Sequence, residues 1–551
     1  MSQSLSSTNL QERLDELSKL QKTTPDNPYS IIHRLALAKT YQSLGYPDLA
    51  LGDAYKALLL VDEVIEEGEY HDEALEAAIS DYNLDHASLN IEAVDRSDGE
   101  KAVSWARHCW LKTAYEILIP CLIHCGCLRS AFDFKTRAQK AFPAVPAFES
   151  YRATLQSKLR SHFASKDENF DAISIEDYPD KGAVRRELYP WNEHEPDRFS
   201  SDVLQSLNQD MEQIAPKLEV KVSELPLLSE TPLIGVDAVY IKQLGVFAKE
   251  DILPGEEILK EKSLLTGISR LHDSFCDACS IPLSKPSDAT IQPDQQTTVV
   301  TCDECDEVFF CSEECHDLAQ DSYHPSLCGV NTEQKVPASE AADSLYTLLL
   351  VRAMGLAETQ ELHPLDLKEV RYIWGDYHGL DLGQKWKSDS DPFGSLPQTL
   401  PFSFEANVLR PLHILEKMDV NIFEESHRYD TWVFNTLYAK FRGTASARQG
   451  LDGRPEIGAV HPMWCLANHS CDPNVAWEWN GSMRFWTREQ LVDFKGRDAS
   501  KQPGLKKGEE IFSHYCDVRL SVQERREWAV GALGGLCMCS RCVWEDAQEE
   551  H

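Results

Sequence analysis

The stretch Cys465-Leu-Ala-Asn-His-Ser-Cys-Asp-Pro-Asn474 concentrates side chains that carry chemistry. It places the Cys471 thiol two residues after the His469 imidazole, with an asparagine on either side of the pair. This pattern is compatible with a cysteine nucleophile next to a base, a metal site, a cofactor pocket or a turn rich in capping residues. The stretch alone does not choose among these four readings, so the rest of the chain has to.

The bulk composition narrows the class of protein. The chain has 551 residues, 42% hydrophobic residues and a formal net charge of -36, so more than one globular domain is expected. The acidity disfavours direct nucleic-acid binding, which needs clustered Lys and Arg. It suits basic partners such as lysine-rich tails, although a solvated surface explains it equally well.

The cellular location and the state of the cysteines follow from two missing signals. The sequence has neither an apolar secretory leader nor a run of about 18 apolar residues, so we predict an intracellular protein of the nucleus or cytoplasm, not secreted and not in a membrane. In a reducing compartment, the 17 cysteines are expected to be metal ligands and buried thiols rather than disulfides.

Four pairs of metal-ligating side chains lie in the middle of the chain. They are Cys276 and Cys279, Cys302 and Cys305, Cys311 and Cys315, and His324 and Cys328. Each pair can chelate one ion, and structural zinc takes four sulfur or nitrogen ligands, so the eight side chains predict two closed zinc sites. His316 is a rival to His324, but it directly follows a ligand and is the poorer choice.

Three more cysteines close the chain at Cys537, Cys539 and Cys542. Three thiolates cannot complete a four-coordinate site, so a fourth ligand must come from elsewhere. Cys465, Cys471 and Cys516 are the nearest in sequence, and spacing alone does not choose among them.

Three motifs in order resemble the SET domain followed by its cysteine-rich post-SET tail. They are Asn468-His-Ser-Cys-Asp-Pro-Asn474, Gly508-Glu-Glu-Ile-Phe-Ser-His-Tyr-Cys-Asp517 and Cys537-Met-Cys-Ser-Arg-Cys542. An earlier segment, Leu244–Ile258, resembles the opening of the same domain, and the ligand pairs resemble a MYND zinc finger. A SET domain split by a MYND finger is the arrangement of the SMYD class of protein lysine methyltransferases, and the resemblance covers roughly 239–544.

The resemblance implies how the metal ligands are grouped. In a MYND finger the first pair shares an ion with the third pair, and the second pair with the fourth. The cysteine of the Asn-His-Ser-Cys motif is the fourth ligand of the post-SET zinc, so Cys471 is expected to join the three terminal cysteines. The twelve ligands then make three zinc sites.

The resemblance also implies S-adenosylmethionine as the cofactor and a set of residues that contact it. These are Lys242, Leu244, Gly245, Asn435, Asn468, His469 and Tyr515. Tyr515 is in addition the expected catalytic residue, beside the methyl group and the target amine.

The implied function is that of an S-adenosylmethionine-dependent protein-lysine N-methyltransferase acting on histone or non-histone lysines. Peptide or protein partners are expected to bind through the MYND finger and the helical repeats. Gly534, Gly535 and Leu536 stand where the family usually has aromatic residues before the post-SET cysteines. A non-catalytic interaction scaffold that keeps the SET fold is therefore the alternative.

The N-terminal third carries a helical-repeat pattern. Two series of residues occupy tetratricopeptide-like positions: Leu37, Tyr41, Gly45, Ala50 and Ala57, then Gly126, Ala131, Ala138 and Pro143. Small residues at these points let paired helices pack closely, although ordinary helical hairpins would show the same spacing. The acidic stretch 61–100 is expected to be an insertion or a loop.

The predicted fold class is α+β and multidomain. The expected order is a helical tetratricopeptide-like region (1–165), a linker (166–232), the first part of a β-rich SET domain (233–272), a MYND zinc finger (273–330), a helical SET insert (331–430), the rest of the SET domain (431–520) and a zinc-bound post-SET tail (521–551).

Overall fold

The computed structural model confirms a mixed helix and sheet protein of the α+β class. It describes residues 7–87, 97–226, 228, 240–268, 274–283, 299–330, 341–375, 377, 398–449, 455–533 and 535–549. The chain forms two compact units: the first holds 1–191 and 378–436, and the second holds 192–377 and 437–551. Gly534 and the start of the predicted SET segment, at 233–239, lie outside the described residues.

The first unit is built from paired helices. They are α1 (Ser7–Thr23), α2 (Ile31–Ser43), α3 (Pro47–Glu66), α4 (His71–Ala87), α5 (Asp98–Trp105), α6 (Leu111–His124), α7 (Leu128–Ala141), α8 (Pro146–Ala164) and α14 (Arg410–Lys417). Helix α2 packs on α3, α3 on α6, α6 on α7 and α7 on α8. Strands β1 (Lys181–Arg185) and β8 (Gln398–Ser403) pair antiparallel in the same unit.

Small residues make the close packing of these helices possible. Ala50, Ala57, Ala131 and Ala138 are all fully buried, as the repeat pattern predicts. Gly126 has a φ of +79°, a left-handed conformation that favours glycine, in the turn between α6 and α7. The helical hairpins are thus confirmed, while their assignment to the tetratricopeptide class stays a prediction.

Most of the described part of the acidic stretch 61–100 is helical rather than the expected loop, while 88–96 lie outside the described residues. Helix α3 continues to Glu66, α4 covers His71–Ala87 and α5 begins at Asp98. Ala74 and Ala78 on α4 are fully buried. A helix needs only one apolar stripe, so its remaining positions can be acidic.

The second unit combines short sheets with helices. The helices are α9 (Ser201–Ile214), α10 (Glu313–Ser322), α11 (His324–Leu327), α12 (Ala341–Thr359), α13 (Lys368–Arg371), α16 (Val522–Leu533) and α17 (Ser540–Glu549). Helix α15 (Thr431–Thr444) begins in the first unit and ends in the second. Among the described residues, no helix combines the length and apolarity needed to cross a membrane.

Six sheets or strand pairs are described in the whole chain, five of them in the second unit. The strands are β2 (Leu218–Pro226), β3 (Tyr240–Ala248), β4 (Glu257–Glu261), β5 (Thr266–Ile268), β6 (Val300–Thr301), β7 (Phe309–Phe310), β9 (Ser446–Gln449), β10 (Pro455–Ala459), β11 (Asn468–His469), β12 (Val475–Trp479), β13 (Met483–Thr487) and β14 (Phe512–Ser513). The pairings are β2–β3, β6–β7, β11–β14, β5–β10–β9 and β12–β13–β4.

One apolar core holds several of these strands together. Val246 on β3, Leu259 on β4, Ile457 on β10 and Phe485 on β13 are buried in it. Asn480-Gly481, a residue pair that favours hairpin turns, lies in the hairpin between β12 and β13, and Gly481 has a φ of +70°. Because Trp479 pairs with Met483, three residues separate the strands, one more than a two-residue turn would give.

Two predicted boundaries differ from the structure. The expected linker 166–232 contains β1, α9 and β2, because Leu207, Met211 and Leu218 pack into cores instead of lying exposed. The expected insert 331–430 is divided: α12 and α13 belong to the second unit, and β8 and α14 to the first. Contacts between residues distant in the sequence decide both outcomes.

Candidate functional site

Three backbone segments of the second unit meet at the motif residues. Strand β11 runs parallel to β14, pairing Asn468 with Phe512 and His469 with Ser513. The segment before β14 also bonds to β3, because the Ile511 N–H donates to the Val246 carbonyl at 2.7 Å. The Asn-His-Ser-Cys motif, the tyrosine motif and the predicted SET opening are therefore neighbours in space.

Asn468 joins these segments through its side chain. Its Nδ2 donates to the Leu244 carbonyl at 3.0 Å and to Glu510 Oε1 at 2.7 Å. Glu510 Oε2 accepts a further hydrogen bond from Ser223 Oγ at 2.8 Å. The carboxylate of Glu510 thus fixes Asn468 and strand β2 together.

Position 245 needs a glycine because the backbone of β3 passes close to the side chains of Glu510 and Asn468. A Cβ atom at this position would lie 2.5 Å from Glu510 Oε1 and 3.1 Å from Asn468 Nδ2. The first distance is too short for a carbon and an oxygen in contact. Glycine therefore lets β3 pass directly alongside the Asn468 amide.

His469 connects the motif tyrosine to a cysteine cluster. The Tyr515 backbone N–H donates to His469 Nδ1 at 3.0 Å, and His469 Nε2 lies 3.3 Å from Cys471 Sγ. Because Nδ1 accepts, Nε2 carries the hydrogen and donates toward the sulfur. Burial lowers the pKa of His469 to about 4, so the ring is neutral at physiological pH.

The Tyr515 hydroxyl is held from within the same stretch. It donates to the Ala467 carbonyl at 2.9 Å, and the Tyr515 ring lies 5.1 Å from the His469 ring. Burial raises the pKa of Tyr515 above its usual value, with a further contribution from Cys465. The phenol therefore stays protonated at neutral pH, and its oxygen keeps lone pairs for an incoming group.

Three sets of four ligands can each hold an ion. Cluster 1 is Cys276, Cys279, Cys311 and Cys315; cluster 2 is Cys302, Cys305, His324 and Cys328; cluster 3 is Cys471, Cys537, Cys539 and Cys542. Within each set the ligand atoms lie within 4.8 Å of one another. The predicted interleaving of pairs and the choice of Cys471 agree with these groups.

Sulfur separations in the clusters match tetrahedral zinc. The Sγ of Cys279 is 3.7 Å from that of Cys311, and Cys471 Sγ is 3.4 Å from Cys542 Sγ. A Zn–S length of 2.3 Å gives a tetrahedral edge of about 3.8 Å, whereas a disulfide would bring two sulfurs to about 2.05 Å. The donor sets therefore fit zinc, in line with the predicted three structural ions.

His324 completes cluster 2, and its rival His316 does not. His324 Nε2 lies 3.7 Å from Cys305 Sγ, whereas His316 Nδ1 lies 3.0 Å from the Asp317 carboxylate. The position of His316 on α10, directly after Cys315, turns its ring toward Phe310. Of the two histidines, His324 is therefore the one that groups with the three cysteines of cluster 2.

Arginines surround cluster 3. Arg525 is 1% exposed, and its Nη2 lies 3.5 Å from Cys542 Sγ. Arg541 Nη1 donates to the Cys471 carbonyl at 2.9 Å. Because a four-thiolate zinc centre carries a net negative charge, a buried guanidinium next to it compensates that charge, and such outer contacts orient the ligands.

A further group of His194, His363 and Asp366 lies close together but suits a metal less well. The two imidazole rings stack with centroids 3.7 Å apart and planes 5° apart. In-plane lone pairs of parallel rings point in parallel directions and do not converge on one ion. His194 Nδ1 instead hydrogen-bonds to Asp366 Oδ2 at 2.9 Å.

The first interpretation of the stretch 465–474, a cysteine nucleophile next to a base, is wrong because Cys471 is inaccessible. Cys471 is 0% exposed and is surrounded by three other thiols, so no substrate reaches it. Burial raises the pKa of Cys465 to about 12, with the Glu261 carboxylate contributing, so its thiol stays protonated. A reactive cysteine needs the opposite shift.

Two further residues were predicted to contact the cofactor, Lys242 and Asn435. Lys242 is an exposed residue near the start of β3. Asn435 belongs to the first unit, where its Nδ2 donates to Asp48 Oδ2 at 2.8 Å and its Oδ1 accepts from Asn407 at 3.1 Å. Its amide serves as a buried hydrogen-bond partner there, and its cofactor role stays a prediction.

Sequence reasoning gave no role to Glu510, Ser223 or Arg525. Glu510 lies inside the quoted tyrosine motif, five residues before Tyr515, and its place in that motif was the available signal. Ser223 and Arg525 carry no comparable signal, because neither belongs to a motif.

A scan against protein-family models and a search of curated proteins both return no match to this chain. A function therefore has to be proposed from the residues and geometry of the chain itself.

Proposed function

We propose that this protein is an S-adenosylmethionine-dependent protein-lysine N-methyltransferase of the SMYD class, with a SET domain split by a MYND finger. The main support is that three stretches distant in the sequence meet here: Asn468 donates to the Leu244 carbonyl beside Gly245, and the adjacent His469 accepts from the Tyr515 backbone. The order of these residues and of the three cysteine clusters matches the motifs that carry the resemblance.

When bound, S-adenosylmethionine supplies a methyl group that its sulfonium makes electrophilic. Leu244, Gly245, Asn468 and His469 are the residues proposed to hold it, through backbone groups and the Asn468 amide oxygen. Both amide hydrogens of Asn468 are engaged within the chain, so the side chain offers an acceptor, which suits an ammonium group.

Tyr515 is proposed to orient the target amine. Its hydroxyl hydrogen is directed at the Ala467 carbonyl, so its oxygen can accept a hydrogen bond from the amine and weak contacts from polarised C–H groups. The attacking lysine must be neutral, although its usual pKa is about 10.4. An apolar environment favours the neutral form, so positioning and desolvation supply most of the expected catalysis.

The charge of the chain fits a basic protein substrate. A formal net charge of -36 attracts lysine-rich segments and raises their encounter rate. The clusters are proposed as structural zinc sites of the MYND finger and the post-SET tail, and the helical hairpins of the first unit as tetratricopeptide-like repeats for partners.

Titration calorimetry of the zinc-loaded full chain with S-adenosylmethionine tests the proposal. Binding is expected in the micromolar range, and the absence of binding at millimolar cofactor would leave only the non-catalytic scaffold. Radiolabelled methyl transfer to an array of lysine peptides then tests the reaction.

Tyr515→Phe and Tyr151→Phe make a matched pair for that assay. The Tyr151 hydroxyl also donates to a backbone carbonyl, that of Glu116 at 3.2 Å, but it lies in the first unit. Tyr515→Phe is expected to lower transfer at least 100-fold, while Tyr151→Phe leaves it within two-fold. Equal activity of the two variants would refute the role proposed for Tyr515.

A further inference from the structure

A basic helical pair stands out in this acidic protein. The segment 129–166, which covers nearly all of α7 and all of α8, carries eight Lys and Arg residues against two Asp and Glu residues, a formal net charge of +6. The whole chain has a formal net charge of -36. Charge of one sign is therefore segregated onto these two helices.

A cavity of about 300 Å³ lies in the same part of the first unit. Its apolar walls come from α7, α8 and the segment that follows, and two cations and an amide complete its lining. The residues that matter here are Phe132, Lys135, Arg152, Leu155, Gln156 and Phe170. The lining thus combines an apolar pocket with cationic groups.

The Lys135 ammonium is positioned to bind an anion from outside the protein. The residue is 7% exposed, and within the described ranges its ammonium makes no hydrogen bond and no ion pair. Its Nζ lies 5.8 Å from the centre of the Phe132 ring. Burial also lowers the pKa of Lys135, and an incoming carboxylate would raise it again.

Arg152 can exchange its present partner at little cost. It pairs with Glu149 at 3.3 Å, and the two side chains are 54% and 56% exposed. An exposed ion pair of this kind contributes between about 0 and 1 kcal/mol. A second carboxylate could therefore take over the guanidinium.

We propose that the cavity between α7 and α8 docks an acidic peptide segment of a protein partner. One large apolar side chain of the peptide occupies the cavity between Leu155 and Phe170, and neighbouring carboxylates bind Lys135 and Arg152. The volume of about 300 Å³ lies at the lower end of the range of ligand sites and leaves room for one large side chain. Recognition of acidic motifs by clustered cations is a common docking mode.

A nucleic acid fits the same surface less well. Single strands bind by stacking bases on exposed aromatic faces along a basic groove, whereas Phe132 here meets Tyr178 at 90° and Phe170 lies against Tyr178 at 29°. The aromatic rings are thus engaged with one another. The deeply placed Lys135 also suits a short carboxylate better than a continuous phosphate backbone.

Fluorescence anisotropy with the zinc-loaded full chain tests the docking and does not depend on methyl transfer. The probe is a labelled peptide of Asp and Glu residues around a central phenylalanine, and the comparison probes replace that phenylalanine by serine or are labelled oligo-dT. The phenylalanine peptide is expected to bind at least ten-fold tighter than the other two. Binding should weaken as salt rises, since exposed charges are screened.

Two double variants with the same charge change identify the site. Lys135→Gln with Arg152→Gln should weaken the peptide at least ten-fold, whereas Lys140→Gln with Lys158→Gln, on the same helices but outside the cavity lining, should change it less than two-fold. Gln156→Trp, an exposed position that can fill the cavity mouth, is the second blocking variant and leaves charge and core intact; Gln156→Ala is its control.

The proposal is overturned by any of four results. These are no peptide binding to the wild type at millimolar protein, equal weakening in the two double variants, equal binding of the serine peptide, or tighter binding of oligo-dT than of the peptide. Circular dichroism and zinc content show that each variant is folded; if Lys135→Gln unfolds the chain, unchanged binding in Gln156→Trp alone overturns the proposal.

Discussion

His469 donates a hydrogen bond from Nε2 to the sulfur of Cys471 across 3.3 Å. The other nitrogen of the same ring accepts from the Tyr515 backbone at 3.0 Å. One imidazole therefore bridges the motif tyrosine and cluster 3. Loss of cluster 3 is therefore expected to affect the position of Tyr515, although no ligand of cluster 3 touches the tyrosine hydroxyl.

Cys471→Ser should lower bound zinc from three ions per chain to two and loosen the C-terminal tail. A serine hydroxyl is a poor zinc ligand, and a four-coordinate site does not close with three thiolates. Metal analysis after gel filtration and limited proteolysis of 535–549 measure the two effects. Cofactor affinity should fall with them, because the bridge from His469 to the sulfur is lost.

Cys516→Ser is the control for this change. Cys516 is buried beside the cluster, but it is not one of the four ligands of cluster 3. The Cys516→Ser variant should therefore keep three zinc ions per chain. Full zinc content in Cys471→Ser, or zinc loss in Cys516→Ser alone, would contradict the assignment.

His324→Ala and His316→Ala form a second matched pair. Only His324 has its ring nitrogen among the ligand atoms of cluster 2, so only its removal should cost one zinc ion per chain. His316 is held near Asp317, and its loss should leave the metal content unchanged. Zinc loss in His316→Ala with none in His324→Ala would reverse the choice of ligand.

Sequence spacing predicted the cysteine clusters well for a physical reason. A ligand pair a few residues apart closes a small chelate ring whose geometry is nearly fixed by the chain. The distant partner Cys471, and the interleaving of pairs, came from the resemblance instead. The hairpin signal Asn480-Gly481 is local in the same way, and Gly481 has a left-handed conformation in the structure.

Features that depend on distant side chains were not predicted. Ser223 donates a hydrogen bond to Glu510, 287 positions away in the sequence, and no sequence feature near either residue predicts this bond. The expected linker proved to contain β2, and here the alternation Leu218-Glu-Val-Lys-Val-Ser223 was an available strand signal that the prediction did not use. Asn435 satisfied a motif position, yet its amide bonds to Asp48.

Gly245→Ala should weaken cofactor binding at least ten-fold and lower the free energy of unfolding by about 1–3 kcal/mol. The added Cβ would stand 2.5 Å from Glu510 Oε1, so Glu510 must move and release Asn468. Calorimetry and denaturant unfolding measure the two effects.

Gly458→Ala on β10 provides the comparison for Gly245→Ala. A Cβ there would lie 3.6 Å from Leu345 Cβ, an ordinary contact, so both quantities should stay near wild type. An unchanged cofactor affinity in Gly245→Ala would show that the β3 approach to Asn468 does not shape the site.

Glu261 should make stability fall as pH rises toward neutrality. Burial raises the pKa of this carboxyl from its ordinary 4.5 to about 7, although hydrogen bonds from the Met463 and Trp464 backbone oppose the shift. An acid whose pKa is higher in the folded than in the unfolded state binds its proton more tightly when folded. Its stabilising contribution is therefore complete below about pH 4.5 and is lost as pH rises through about 7.

Glu261→Gln removes this titration, so the difference in unfolding free energy between wild type and variant should decline between about pH 4.5 and 7, by at most about 3 kcal/mol. Denaturant unfolding at each pH, with zinc content checked, gives the difference and cancels other titrating groups. Glu257→Gln, an exposed neighbour on β4 paired with Arg484, should change stability little at any pH, because surface pairs contribute little. If the difference in unfolding free energy between wild type and Glu261→Gln stays constant or grows with pH, Glu261 is already ionised throughout this range. The backbone hydrogen bonds from Met463 and Trp464, which hold the turn leading into Cys465, would then be accepted by a permanent charge.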